Sequence, residues 1–288
     1  MIRFLEAAAL GLGLGVLVLA TPACKDKGKA SAQDAVRHVD ALSTLTEKDV
    51  GEVERGLPEG ATRLSALFAQ KADARQDLPA VRKALLRVRR EVPDLSVAKS
   101  TFFALADEKG MAIRNDLEQD VMAGQNLLSS FPGLSKAEEG AFVTTTGAFP
   151  GPPAPSGPDK DWVAASPVKR DDGTVAGILV TGWSFRRFAH HLQETLKHDL
   201  QEQLLKAKDT GSLPVLYVAV FDRSGVYSAP QTPAVNEKAL LEANLVDKTA
   251  GGSVSGVLTI TDRDFGYAAQ RTPKLGNEVG IVVLRSEI

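Results

Sequence analysis

The first feature along the chain is an unbroken run of Ala, Leu, Gly and Val from Ala7 to Ala20, preceded by Arg3. Its fourteen residues match a signal-peptide core and fall short of the roughly 20 needed to cross about 30 Å of hydrocarbon. Lys25 to Gln33 is small and charged, which predicts a flexible tether over 24–33. A helical period then runs over 34–99. Val36, Val39, Leu42 and Leu45 share a face, Leu64, Leu67 and Phe68 recur at the same spacing, and so do Val81, Leu85 and Val88, with Lys83, Arg87 and Arg90 opposite. Asp77 before Leu78-Pro79 predicts an N-cap, and Pro93 a stop.

The period changes at Ser100. Thr101 to Ala106 is apolar and aromatic, Asp107-Glu108-Lys109-Gly110 is a turn, and Met111 to Asn115 is a second strand. Leu117 to Ser130 is a candidate helix or half-ordered segment. The prolines between Gly147 and Gly157 predict a surface loop. Trp162–Val168 and Val175–Trp183 are further strands around a charged turn. Ser184 then caps a long helix with an apolar stripe from Phe185 to Leu205, ended by Gly211. The earlier pattern returns in the strand Pro214–Phe221, the turn Asp222-Arg223-Ser224-Gly225 and the strand Val226–Ala229. A short helix (Glu237–Ala243), a hairpin around Asp262-Arg263-Asp264 and a closing strand (Gly280–Leu284) complete the chain.

Phe103 to Met111 aligns with Val218 to Val226: an apolar strand, Asp-x-x-Gly, and an apolar residue. Each follows a long helix and precedes further strands, so the pattern predicts an internal repeat. The architecture expected is α+β: a helical N-terminal arm, then two units with antiparallel sheets, 100–183 and 211–288, linked by a helix over 184–210. This order, with Ala164 to Val168, Asp172 to Val180 and Phe221 to Tyr227, resembles the Cache and PAS-like sensor domains of bacterial receptors. The resemblance covers roughly Asp34 to Leu284. It implies about five antiparallel strands per unit, with a small metabolite bound between the sheet and the loops over it. Its motifs are strand patterns and turn residues and carry no ligand class.

Thr21-Pro22-Ala23-Cys24 after the apolar run resembles the lipobox of bacterial lipoproteins, although Thr21 stands where an aliphatic residue is usual. The resemblance implies removal of residues 1–23 and acylation of Cys24. The alternative is an ordinary secretory signal cut after Ala23, leaving a free thiol. Cys24 is the only cysteine, and lipidation removes a lone exposed thiol from an oxidising compartment. Each buried CH₂ of an acyl chain contributes about 0.8 kcal/mol to anchoring. By resemblance to enterobacterial lipoproteins, the absence of Asp at position 25 favours the outer membrane.

Composition narrows the chemistry. Apolar content of 43% and charged content of 24% are those of a globular protein. A net charge of −2 leaves no electrostatic footprint for nucleic acid. One cysteine excludes internal disulfides and zinc–thiolate sites. No Gly-x-Ser-x-Gly elbow and no phosphate loop occurs. His190, Glu194 and His198 could face one side of a helix, but the two histidines are about 12 Å apart along its axis, and a solvated face is the better reading. No cofactor and no metal is expected. Ligand contacts expected from position are Phe103, Arg114, Trp162 and Trp183 in the first unit, with Tyr227, Tyr267 and Arg271 as a weaker set in the second. Packing for the aromatic rings, and an ion pair of Arg114 with Asp116 or Glu118, are the alternatives. The function expected is non-catalytic sensing or binding of a small molecule or partner at the cell envelope. A structural or interaction lipoprotein without ligand is the alternative, and an enzyme the more distant one.

Overall fold

The computed structural model describes residues 23–70, 77–150, 157–208 and 211–287. The apolar leader and most of the proline-rich loop, 151–156, lie outside the described residues, as does the side chain of Cys24. Among the described residues no helix is long and apolar enough to cross a membrane.

Helix α1 (Ala23–Gln70) is followed by α2 (Leu78–Glu91) and α3 (Pro93–Val97). The first unit comprises β1 (Phe102–Asp107), β2 (Ala112–Asn115), the short helices α4 (Leu127–Ser130) and α5 (Ser135–Glu138), β3 (Val143–Gly147), β4 (Asp161–Lys169) and β5 (Val175–Ser184). Helix α6 (Phe185–Ala207) leads to β6 (Val215–Asp222), β7 (Gly225–Ser228), α7 (Ala234–Glu242), α8 (Leu245–Lys248), β8 (Val254–Ile260), β9 (Arg263–Arg271) and β10 (Gly280–Ser286).

Both sheets are antiparallel and share one order: β2-β1-β5-β4-β3 and β7-β6-β10-β9-β8. The repeat is therefore topological. Its two turns are built alike, with Asp107 accepting from the amides of Lys109 and Met111, and Asp222 from those of Ser224 and Gly225. Strand β3, Val143-Thr144-Thr145-Thr146-Gly147, carries no apolar alternation and was not expected from the pattern; it is recruited as an edge by pairing with β4. Leu117–Ser130, read as a candidate helix or half-ordered segment, is mostly turns, with one helical turn at its end capped by Asn126.

One expectation about the N-terminal region is corrected. The segment read as a tether is helical, part of α1. Its small residues, taken as a sign of flexibility, let the helix lie directly on the second sheet. Ser31 and Ala32 are buried, and a methyl group added at Gly266 would sit 2.1 Å from the Ala32 amide nitrogen. At 1.5 Å per residue, α1 is roughly 70 Å long, and it packs on β8–β10 of one unit and β4–β5 of the other. Its stripe of Ala35, Val39, Leu42, Val53, Leu57 and Leu64 joins one continuous core with both sheets and α6.

Each sheet is buried on its other face as well. Phe102, Ala104, Val163 and Val180 pack against Met122, Leu127, Phe131 and Leu134. Ala219, Phe221, Tyr267 and Val282 pack against Leu240, Leu245 and Val246.

Candidate functional site

A pocket of about 370 Å³ lies over the outer face of the first sheet, away from α1. Its apolar walls come from Phe102 on β1, from Leu117, Val121 and Met122 in the loop after β2, and from Phe149 and Pro150 after β3. The Phe149 ring meets Phe131 at 4.8 Å and Phe102 at 5.6 Å, both edge to face.

Arg114 and Asp120 shape the loop. The Arg114 guanidinium pairs with Asp120 at 2.9 Å and donates to the carbonyls of Leu117 and Glu118. Asp120 accepts from the amides of Asn115, Met122 and Ala123. Burial alone would raise the Asp120 carboxyl, but the hydrogen bonds from Arg114 and these amides outweigh it and hold the group below its usual range.

Polar groups inside this frame are left over. Asn115 is fully buried; its Oδ1 accepts from the Leu117 amide, while Nδ2 has no partner among the described residues. Gln125 donates to the Val121 carbonyl, and its Oε1 is likewise buried without a partner among the described residues. Asp161 opens β4 at the pocket wall, where burial and then repulsion from Asp159 push its carboxyl up to about 6, against one amide hydrogen bond from Phe149. Arg187, exposed at the first turn of α6, also lines the pocket and has no carboxylate partner among the described residues. Opposite charges and unpaired donors and acceptors thus surround an apolar space, the combination expected of a small-molecule site.

The sequence-predicted residues are placed differently. Phe103, Trp162 and Trp183 are fully buried on the α1-facing side of the sheet and do not line the pocket. Trp162 and Trp183 stack at 4.3 Å, and Trp183 stacks on Phe188 at 4.8 Å. Arg114 pairs with Asp120, a partner not anticipated, and builds the loop from outside the pocket. Tyr227 is buried against Phe185, its hydroxyl 3.4 Å from Asp222. Tyr267 is buried in the second unit's outer core, and Arg271 donates to the Val246 carbonyl. Asn115, Gln125, Asp161 and Arg187 were missed. A carboxylate opening an otherwise apolar strand after a proline loop is the one sequence signal that could have found Asp161.

No protein-family model matches the chain, and no curated protein matches it in sequence. Solved structures do. The ligand-binding domain of the Campylobacter jejuni chemoreceptor Tlp3, in complex with 4-methylisoleucine, is 10% identical with a TM-score of 0.53, over 90% of this chain and 92% of that one. The sensor domain of the V. cholerae histidine kinase DctB is 14% identical with a TM-score of 0.50, over 90% and 98%. An extracellular ligand binding receptor from Desulfohalobium retbaense is 11% identical with a TM-score of 0.51, over 87% of this chain but 40% of that one. The chain thus spans less than half the length of that receptor. It has the fold of Cache-like extracellular sensor domains. At these identities the likeness establishes architecture, and these neighbours are ligand-binding sensor domains, not enzymes.

Within the Cache-like frame the two units are tied beside the pocket. Lys160, next to Asp161, bonds Asp222 of the second unit. Arg186, next to Arg187, donates to both carboxylate oxygens of Glu237 at 2.8 and 2.9 Å. The α6 start is laced to the residue before β4 by the Phe185 amide on the Lys160 carbonyl at 2.7 Å. Neighbouring residues thus face the pocket and the other unit.

Proposed function

We propose that this chain is a non-catalytic extracytoplasmic sensor, lipid-anchored through Cys24, whose first Cache-like unit binds a small molecule bearing both an amine and an acceptor group on an apolar body. The observation that carries the reading is the pair of buried, unpartnered groups at one pocket, Asn115 Nδ2 and Gln125 Oε1, flanked by Asp161 and Arg187. An ammonium would meet Asp161, and a carboxylate would meet Arg187 and Asn115. Amino-acid-like ligands in Cache-like neighbours, such as 4-methylisoleucine in the chemoreceptor domain, support the same class. The Lys160–Asp222 and Arg186–Glu237 ties would pass a change at the pocket to the second unit, and a partner protein would carry the output. The sorting signal favours the outer membrane.

A thermal-shift screen of amino acids, amines and organic acids tests the binding. A ligand at 100 times its Kd should add about 2.7 kcal/mol of stability, and Asp161→Asn should remove the response. A flat screen would leave the fold as an interaction module without a ligand. For the anchor, Cys24→Ser should release the protein from membranes; unchanged membrane partition of that variant refutes it.

A further inference from the structure

A second cavity, about 450 Å³, lies where the two units meet, between the end of β7 and α7. One wall is Arg186, which is 5% exposed and held by the Pro158 and Ser228 carbonyls and by Glu237. Both Glu237 oxygens are already engaged, one of them also by the Ser228 amide, so the acid here is neutralised and the wall is rigid.

The remaining polar side chains can each donate a hydrogen bond, and none carries a negative charge. The Thr232 hydroxyl, at the cavity edge, is shut off from solvent and has no partner among the described residues. The Ser228 hydroxyl is also unpartnered in a residue 1% exposed, on the same face of β7 as the cavity-lining Val226. Lys238 lines the cavity and reaches its nearest carboxylate, Glu242, only at 3.8 Å. Helix α7 starts here after Pro233, with no side chain capping its first amides. The rest of the lining is aliphatic: Val226, Ala229, Pro230 and Leu241.

We infer that this seam cavity is a second ligand site, separate from the first-unit pocket, for a short-chain monocarboxylate. The carboxylate would accept from Thr232 and pair with Lys238, and its alkyl chain would lie on Val226, Ala229 and Leu241. A cationic ligand is disfavoured, because the one acid of the lining already serves Arg186.

Isothermal titration of the full chain with butyrate, and with the uncharged butyramide as control, tests the inference. Butyrate should bind and butyramide should not. Thr232→Val and Lys238→Ala should each weaken butyrate roughly tenfold or more, the loss of one charge-assisted hydrogen bond. Arg187→Ala, which removes the carboxylate partner of the other pocket, should leave butyrate binding unchanged. Lys238 is 74% exposed, so its variant keeps the fold and decides the matter if the Thr232 variant does not. Absence of binding for every monocarboxylate from acetate to octanoate overturns the inference. So does loss of butyrate binding in the Arg187 variant alone, or indifference to both seam variants; none of these results bears on amine binding in the first unit.

Discussion

Asp161→Asn should make the ligand-free protein more stable at neutral pH. In the folded chain the carboxyl is pushed from its ordinary 3.8 to about 6 by burial and by Asp159. A group that holds its proton more tightly when folded loses stability as pH rises: the folded state binds the extra proton between pH 4 and 6, and above 6 the full cost of a buried charge is present. A shift of this size corresponds to about 3 kcal/mol. Water reaching the carboxyl through the pocket reduces that, so a gain of roughly 1–3 kcal/mol is expected for the asparagine variant at pH 7.5. The amide oxygen still accepts from Phe149, so that hydrogen bond is retained. Urea unfolding of both proteins from pH 3.5 to 8 is the assay. The two curves should coincide near pH 4 and separate up to pH 6, with the variant above. A variant less stable than the parent at pH 7.5, or a pH-independent difference, refutes the placement of this charge. A gain in stability paired with lost amine binding would mark Asp161 as a residue kept for function.

Three other perturbations read the frame around the site. Glu237→Ala leaves the buried Arg186 guanidinium without its carboxylate and should cost about 2–4 kcal/mol in urea unfolding; a loss under 0.5 kcal/mol would show the tie to be dispensable. Burial and then Arg285 press the His38 imidazole down to about 4, so the fold should lose up to about 3 kcal/mol as pH falls from 6.5 to 4. His38→Gln should flatten that limb of the stability profile, and an unchanged limb counts against the assignment. Gly266→Ala forces a methyl group against the α1 backbone and should lower stability by about 2 kcal/mol or more, visible as a fall in Tm; a neutral outcome would mean that α1 does not seat on β9.

Much of the architecture is written in local patterns. The period of Val81, Leu85 and Val88 under the Asp77 cap gives α2, and Ser184 caps α6 by accepting from the Arg187 amide. The matching Asp-x-x-Gly turns disclose the repeat, because short-range hydrogen bonds and backbone preferences decide such elements. The Thr-rich edge β3 and the helical start of α1 escape that reading, since neither has its own apolar signal and each exists through the surface it lies on. The site is still less local. Phe102 and Phe103 are consecutive and chemically identical, yet one lines the pocket and the other meets α1. Strand alternation requires only that they face opposite ways. Which face looks outward depends on where α1 lies, and that contact joins residues far apart in the chain. The same holds for Asp161 and Arg187: nothing in either neighbourhood brings them to one pocket until β4, β5 and the start of α6 are packed together.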